Sequence, residues 1–343
     1  MNRRGVPPAM SLTRRTIVAG IAAGAVASPA ILKAQAREPL TVMTPFGFIP
    51  DFIEMMNAVS GGHLARHGFD ARLLGAAGTA QALQQLAAGQ VQFIRAASID
   101  MIRAAAQGVP LVAIATSHQG STFHMISTKD KPITRAEDLK GKTVGLVSVG
   151  GTTDIFLSLI LNKVGLKNDD VKREVTGNSP GILQMVRQGR VDCFMASIVV
   201  PVMLARAGEQ FEAWSTDRYA PMPSQCYITT REIAEKRPET VVRFLRAMRD
   251  SMNEMLTQPN PPIFERAGKD FDIPGIRDIA NVVAVSDESK QKLWLARGRE
   301  NLLRNLPDLW DSGIKSLRDS GLVNLPNAEG IWTNRFIDEA LKA

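Results

Sequence analysis

Arg95 stands in Phe93-Ile94-Arg95-Ala96-Ala97-Ser98, near the carboxyl end of an apolar run that reads as a buried strand. A buried arginine needs a partner. Two kinds fit: a structural ion pair, for which Asp100 is the near candidate, or a forked clamp on the carboxylate or sulfonate of a ligand. Other residues suit a small polar ligand. Gly78-Thr79 and Gly151-Thr152 each lie where a glycine-containing turn enters a predicted helix, so free N–H groups and the helix dipole favour negative or polar groups. Ser98, Ser148 and Ser197 stand at predicted strand ends and offer hydroxyls, and His118 follows a strand and faces the same edge. Phe46, Phe48 and Trp214 suit stacking on a planar body. Each also has a plain structural use: Thr79 as a helix N-cap, His118 as a satisfied histidine, the aromatics as core caps.

These residues must be held by strands, and the strands come in two similar sets. In the first, Leu40–Thr44, Ala71–Leu74, Val91–Ala96 and Leu111–Thr116 read as strands, with a helix over Ala80–Ala88 that stops at Gly89. The second has strands at Thr143–Val147, Lys172–Thr176, Val191–Ser197 and Phe211–Ser215, with a helix over Gly181–Gln188 that stops at Gly189. The order helix, Gly, Gln/Arg, Val, Gln/Asp occurs at Leu86–Gln92 and again at Val186–Asp192. Two parallel-sheet lobes with loops at their carboxyl ends predict a ligand held between them. The extended stretches Thr122–Thr128 and Gln225–Thr229 read as crossings between lobes, so a hinge is expected near Thr128 and Tyr227. From Arg231 onward the pattern is helical. Pro238–Thr257 is a long amphipathic helix with Val241, Phe244, Leu245, Met248, Met252 and Met255 as its apolar stripe, Lys290–Leu303 is a second helix, and Trp332–Leu341 docks the end of the chain.

Residues 1–36 read as an export leader. Ser11-Leu12-Thr13-Arg14-Arg15 is similar to a twin-arginine signal, Ile17–Ala27 is an apolar run too short for a membrane span, and Ala34-Gln35-Ala36 fits a cleavage site after Ala36. The whole chain carries 41 Lys and Arg against 34 Asp and Glu, or +7. Five of the basic residues and no acidic one lie in the leader, which leaves 36 against 34, or +2. The excess is therefore mostly a leader property, and a nucleic-acid role loses its main support. Cys193 and Cys226 are expected as two buried thiols with no bridge. The sequence has no CxxC, HExxH or GxxxxGK motif, and no metal, cofactor or catalytic residue is assigned.

Gly78-Thr79-Ala80-Gln81-Ala82-Leu83, Leu86-Ala87-Ala88-Gly89-Gln90-Val91, Ala104-Ala105-Ala106-Gln107-Gly108-Val109-Pro110, Ile133 with Asp138-Leu139-Lys140-Gly141-Lys142-Thr143-Val144-Gly145, Gly189-Arg190-Val191-Asp192 and Asn334-Arg335-Phe336 occur in that order. In this the chain resembles the periplasmic substrate-binding proteins of the nitrate, sulfonate and taurine type, which feed ABC importers. It departs from them at Gln92, where Asp is usual, at Arg95, where small residues are usual, and at Gly62-His63-Leu64-Ala65-Arg66-His67-Gly68, which lacks their aromatic pair.

The resemblance implies an α/β chain with the type II periplasmic-binding-protein fold, two α/β lobes joined by a two-segment hinge. The expected division is leader 1–36, lobe one 37–128 and 225–343, and lobe two 129–224. It implies a periplasmic monomer that binds a small ligand and passes it to an ABC permease in the inner membrane, with no cofactor. The ligand expected from Arg95 is an anionic organic molecule, a sulfonate or carboxylate, with a neutral aromatic or pyrimidine-like compound second. Proteins similar in fold also include enzymes of thiamine-pyrimidine and menaquinone routes, with His118 or His124 as the base, and receptors that signal to a sensor protein.

Overall fold

Ten strands make two five-stranded sheets with the same internal plan. The computed structural model describes Met1 and residues 36–342, so the twin-arginine segment, the apolar leader run and nearly all of the cleavage signal lie outside the described residues. Among the described residues no helix is long and apolar enough to cross a membrane.

The first sheet uses β1 (Glu38–Phe48), β2 (Phe69–Gly75), β3 (Phe93–Ala97), β4 (Leu111–His118) and, from far along the chain, β10 (Gln225–Thr230), in the order β2-β1-β3-β10-β4. Strands β2 and β3 run parallel to β1, and β10 is antiparallel to both β3 and β4. The second sheet uses β5 (Phe123–Thr128), β6 (Thr143–Leu146), β7 (Lys172–Val175), β8 (Cys193–Ser197) and β9 (Phe211–Ser215), in the order β7-β6-β8-β5-β9. Here β5 is the antiparallel insert. Each sheet thus takes one reversed strand from a crossing segment.

The helices follow in chain order: α1 (Ile53–Ser60), α2 (His63–Arg66), α3 (Thr79–Ala87), α4 (Ser98–Ala106), α5 (Thr152–Lys163), α6 (Ile182–Arg187), α7 (Val199–Arg206), α8 (Arg231–Lys236), α9 (Pro238–Thr257), α10 (Asn260–Asp270), α11 (Ile279–Ser289), α12 (Pro307–Asp319) and α13 (Arg335–Leu341). The six stripe residues of α9 are all buried, and Phe244 stacks on Phe93 of β3 with ring centroids 4.1 Å apart.

The internal repeat has a physical basis. Gly89 and Gly189 have φ of 72° and 70°, the left-handed conformation that ends a helix cheaply only at glycine. The following valines, Val91 and Val191, are buried. Gln92 Oε1 then accepts from Thr41 N at 2.8 Å, and Asp192 Oδ2 accepts from Thr143 N at 2.8 Å. Gln92 therefore does for β1 what Asp192 does for β6, and the replacement of an acid by an amide keeps the bond.

Several expected boundaries move. The first strand continues past Thr44 to Phe48, through a kink at Gly47 with φ of 63°. The helix expected over Lys290–Leu303 lies earlier, at α11. It loosens into a π turn at Lys290–Trp294 and stops before Gly298. The cause is competition for its carbonyls: Leu293 O accepts from Gln119 N at 2.8 Å and from Gly120 N at 3.2 Å. Trp332–Asn334 precede the last helix, since Trp332 bridges to Ala113 of β4.

The crossings also shift. All of β5, including Thr128, belongs to the second sheet, and Tyr227 lies mid-strand in the first. The chain passes between sheets at 119–122 and returns at 216–224. Hydroxyls bridge the two passages. Ser121 Oγ and Thr216 Oγ1 are 2.6 Å apart, Ser121 N donates to Asp217 Oδ2 at 2.6 Å, and Thr122 Oγ1 and Ser224 Oγ are 2.9 Å apart.

Candidate functional site

The carboxyl ends of β1, β3 and β4 converge on Arg95, which is fully buried. Its Nη1 donates to Glu54 Oε1 at 2.8 Å and to the Asp51 carbonyl at 2.5 Å, and its Nη2 donates to Asp51 Oδ2 at 2.8 Å. Nη2 also lies 2.7 Å from Nδ1 of His118. The guanidinium carbon sits 4.6 Å from the centre of the Phe52 ring, and Tyr227 donates its hydroxyl to Glu54 Oε1 at 3.0 Å. The partners of Arg95 are thus Asp51 and Glu54. Asp100 faces elsewhere, bonded by the Thr79 hydroxyl and beside Arg103.

Burial raises the carboxyl pKa of Asp51 and of Glu54, with Arg95 opposing it in both. Burial, and then the Arg95 charge, hold His118 well below the usual histidine range, so the ring is neutral. Burial also raises the thiols of Cys193 and Cys226, which are free cysteines in different sheets.

Beside this cluster an apolar pocket of about 350 Å³ opens at the end of β1. Ile49, Pro50 and Asp51 form one wall, Val199 and Met203 of α7 a second, and Val282 and Val285 of α11 a third. The first wall follows β1 of the first sheet and the second follows β8 of the second sheet, so the pocket is lined from both sheets' sides. Arg206 Nε of α7 donates to Asn281 Oδ1 of α11 at 2.5 Å and ties the two helices together.

The expected site residues are distributed unevenly around it. Arg95 and His118 are in contact, and Ser98 is close by, its hydroxyl donating to the Pro223 carbonyl. Ser224 joins them, because Ser224 N donates to His118 O at 2.9 Å and Ser98 N donates to Ser224 O at 3.1 Å. Phe48 packs on Phe271 with centroids 4.9 Å apart, whereas Phe46 is half exposed. At Gly78-Thr79 the first turn of α3 is engaged by its own chain, with Ala77 N donating to Gln81 Oε1 at 2.7 Å.

In lobe two, Gly151 and Thr152 open α5, and the hydroxyl of Ser148 packs over Gly151. The turn is also self-capped: Gly150 N donates to Asp154 Oδ2 at 2.7 Å, and Arg173 Nε donates to Asp154 Oδ1 at 2.6 Å. Ser197 is bonded twice to Asn178, at 3.0 and 2.9 Å. Trp214 is not gathered with them. It is buried in a core cluster shared by both sheets, its indole N–H donates to the Ile133 carbonyl at 2.9 Å, and its ring meets Tyr219 edge-on.

The sequence reading missed Asp51, Glu54, Val199 and Met203. A signal for the acids is present in Pro50-Asp51-Phe52-Ile53-Glu54: three-residue spacing puts two carboxylates on one face of a helical turn inside an apolar run. For the apolar pair, Val199 and Met203 are one turn apart on a helix that is apolar on most sides.

A model of the family described as "NMT1/THI5 like" matches residues 49–261. The chain belongs to the NMT1/THI5-like family. Among curated relatives, a Saccharomyces cerevisiae protein named 4-amino-5-hydroxymethyl-2-methylpyrimidine phosphate synthase THI5 is 23% identical over 224 residues. The Schizosaccharomyces pombe protein of that name, without the gene symbol, is 24% identical over 232 residues. The matches cover 61% and 64% of this chain and span 65% and 66% of the relatives' lengths, just under two thirds.

Among solved structures, the periplasmic aliphatic sulphonate binding protein SsuA from Escherichia coli matches with a TM-score of 0.63 at 17% identity, over 83% of this chain and 86% of that one. The periplasmic nitrate-binding protein NrtA from Synechocystis PCC 6803 matches with a TM-score of 0.61 at 14% identity, over 89% of each chain. The family member therefore has the periplasmic-binding-protein fold.

Proposed function

We propose that this family member is an exported solute-binding protein that captures a small organic molecule between its lobes and delivers it to an ABC import permease. The observation that carries this reading is the apolar pocket walled by residues 49–51, α7 and α11. A ligand there touches both lobes at once, and only contacts that exist when the lobes are together can favour the closed form. The leader, read as export to the periplasm with cleavage after Ala36, supports the same role, and the protein acts as a monomer. The expectation of an anionic ligand rested on Arg95. With Asp51 and Glu54 on that guanidinium, the sulfonate or carboxylate choice loses its support, and an apolar or aromatic body gains it from the pocket walls.

A second reading is an enzyme on the same fold. The curated relatives' names favour it, and so does the neutral, buried His118, whose Nε2 lies 3.6 Å from Asp51 Oδ1. One screen separates the two. Purified protein is tested by thermal shift against sulfonates, nitrate, carboxylates, aromatic amines and pyrimidines, and each binder is recovered and weighed by mass spectrometry. A ligand at a hundred times its dissociation constant adds about 2.7 kcal/mol of stability. A shift with the ligand recovered unchanged supports a binding protein; a chemically altered ligand supports the enzyme.

A further inference from the structure

The charged residues that line the inter-lobe pocket have the wrong sign for an anion; the cation nearest its lining on α7, Arg206, is engaged with Asn281. The pocket's charged lining residues are Asp51 and Asp278, and no lysine or arginine lines it. Asp278 caps α11, its side chain accepting from Asn281 N at 3.2 Å, and sits exposed at the rim. Behind Asp51, two carboxylates share one guanidinium, and Glu54 Oε2 is buried with no hydrogen-bond partner. His118 adds no positive charge to this group. The cluster sets two carboxyl groups, Asp51 and Glu54, against one guanidinium, Arg95. Glu54 is sealed off, whereas the Asp51 side chain keeps 14% exposure and is the member that lines the pocket.

We infer that this pocket selects an organic cation, a protonated amine, amidine or aminoheterocycle, with its charged nitrogen on Asp51 and its apolar body between α7 and α11. A positive head there supplies a second cation to a cluster that has two carboxyl groups and one guanidinium. The apolar walls strengthen that attraction by keeping water out. The body covers Val199, Met203, Val282 and Val285, which otherwise face solvent-accessible space. The inference rests on the reading of the cleft as the ligand site.

The test uses one ring with three head groups: benzamidine, benzyl alcohol and benzoate, titrated calorimetrically into the full-length protein at pH 7. Benzamidine is expected to bind at least about tenfold more tightly than benzoate. Asp51→Asn should erase that preference. Asp278→Asn, which retains an N-cap, should reduce it about two- to threefold. Val199→Trp, which fills the pocket, should abolish binding of all three probes. Benzoate binding as well as benzamidine, a preference untouched by both aspartate variants, or no binding of any probe would each overturn the inference. If Asp51→Asn does not fold, the wild-type ranking and Asp278→Asn decide. An anion preference that Val199→Trp removes would sink the cation assignment alone. Probe binding that survives Val199→Trp would also sink the reading of this pocket as the ligand site.

Discussion

The two sheets share a strand plan, yet their carboxyl edges are built from different chemistry. In lobe one the edge is a buried ionic cluster: Arg95 holds Asp51 and Glu54 over Phe52, and Tyr227 and His118 complete the shell. In lobe two the edge is a short turn of hydroxyls and glycines, with its helix N-terminus occupied by Asp154 and Arg173. A buried ion cluster tolerates little movement, because each charge left alone in a low-dielectric interior is costly. A surface turn can rearrange. On the reading proposed above, recognition by charge would fall to the first sheet's edge and the apolar wall to α7.

Removing the cation from each edge is the strongest way to break this comparison. Arg95→Met should cost about 3–5 kcal/mol, because it strands two buried carboxylates. Arg173→Met, which leaves one carboxylate, Asp154, without its arginine and removes bonds to Ser158 and Asn168, should cost less, about 1–3 kcal/mol. Urea denaturation of both variants checks the difference, and equal losses would erase the distinction between the edges.

A second pair contrasts the crossing with the lobe-two turn. A Cβ at Gly120 would lie 2.3 Å from the Lys292 carbonyl, a backbone atom, so Gly120→Ala should destabilise by about 1–3 kcal/mol. At Gly151 the nearest obstacle is the Ser148 hydroxyl, which can rotate away, and the backbone there is extended. Gly151→Ala should therefore be close to neutral in the same thermal melts.

Acid should sharpen the contrast. Burial and Arg95 hold His118 of lobe one well below the usual range, and burial with Lys292 lowers His124 of lobe two to about 4. Both are neutral when folded and take up a proton more readily when unfolded. The sign follows: their stability is fully present above the unfolded value of 6.5 and is lost as pH falls below it, for His124 down to about 4. Melting temperature should drop between pH 7 and pH 5, and His124→Phe should flatten part of that slope.

The smallest expected effect tests the repeat itself. Gln92→Ala and Asp192→Ala each remove one acceptor from a strand N–H, and each should cost about 1 kcal/mol by chemical denaturation. Clearly unequal losses would mean that the two positions do not play the same part.

What could be read from the sequence follows from the range of the interactions. The strand sets, the glycine stops at Gly89 and Gly189 and the buried stripe of α9 depend on local patterns, and their order was legible. The chain ends of the crossings were not, because β5 and β10 earn their places by pairing with strands far away in sequence. Lys290–Leu303 has a helical pattern, but Leu293 gives its carbonyl to Gln119 and Gly120. At the site, Arg95 stood out as a charge in an apolar strand. Its partners did not, since Asp51 and Glu54 lie more than 40 positions away and Asp100 was the near acid. Trp214 illustrates the converse error: its place near a strand end suggested a cleft aromatic, and the Ile133 carbonyl holds it in the core.

We expect the ligand in the pocket between residues 49–51, α7 and α11. A second inter-lobe cavity of about 730 Å³, lined by His124, Phe211 and Lys292, is the competing location. Hydrogen–deuterium exchange with a ligand found in the screen decides between them. Protection is expected at residues 49–52, 197–203 and 279–285. Because α7 and α11 border both cavities, residues 49–52 decide: protection of the strands β5 and β9 with residues 49–52 unchanged would contradict this placement.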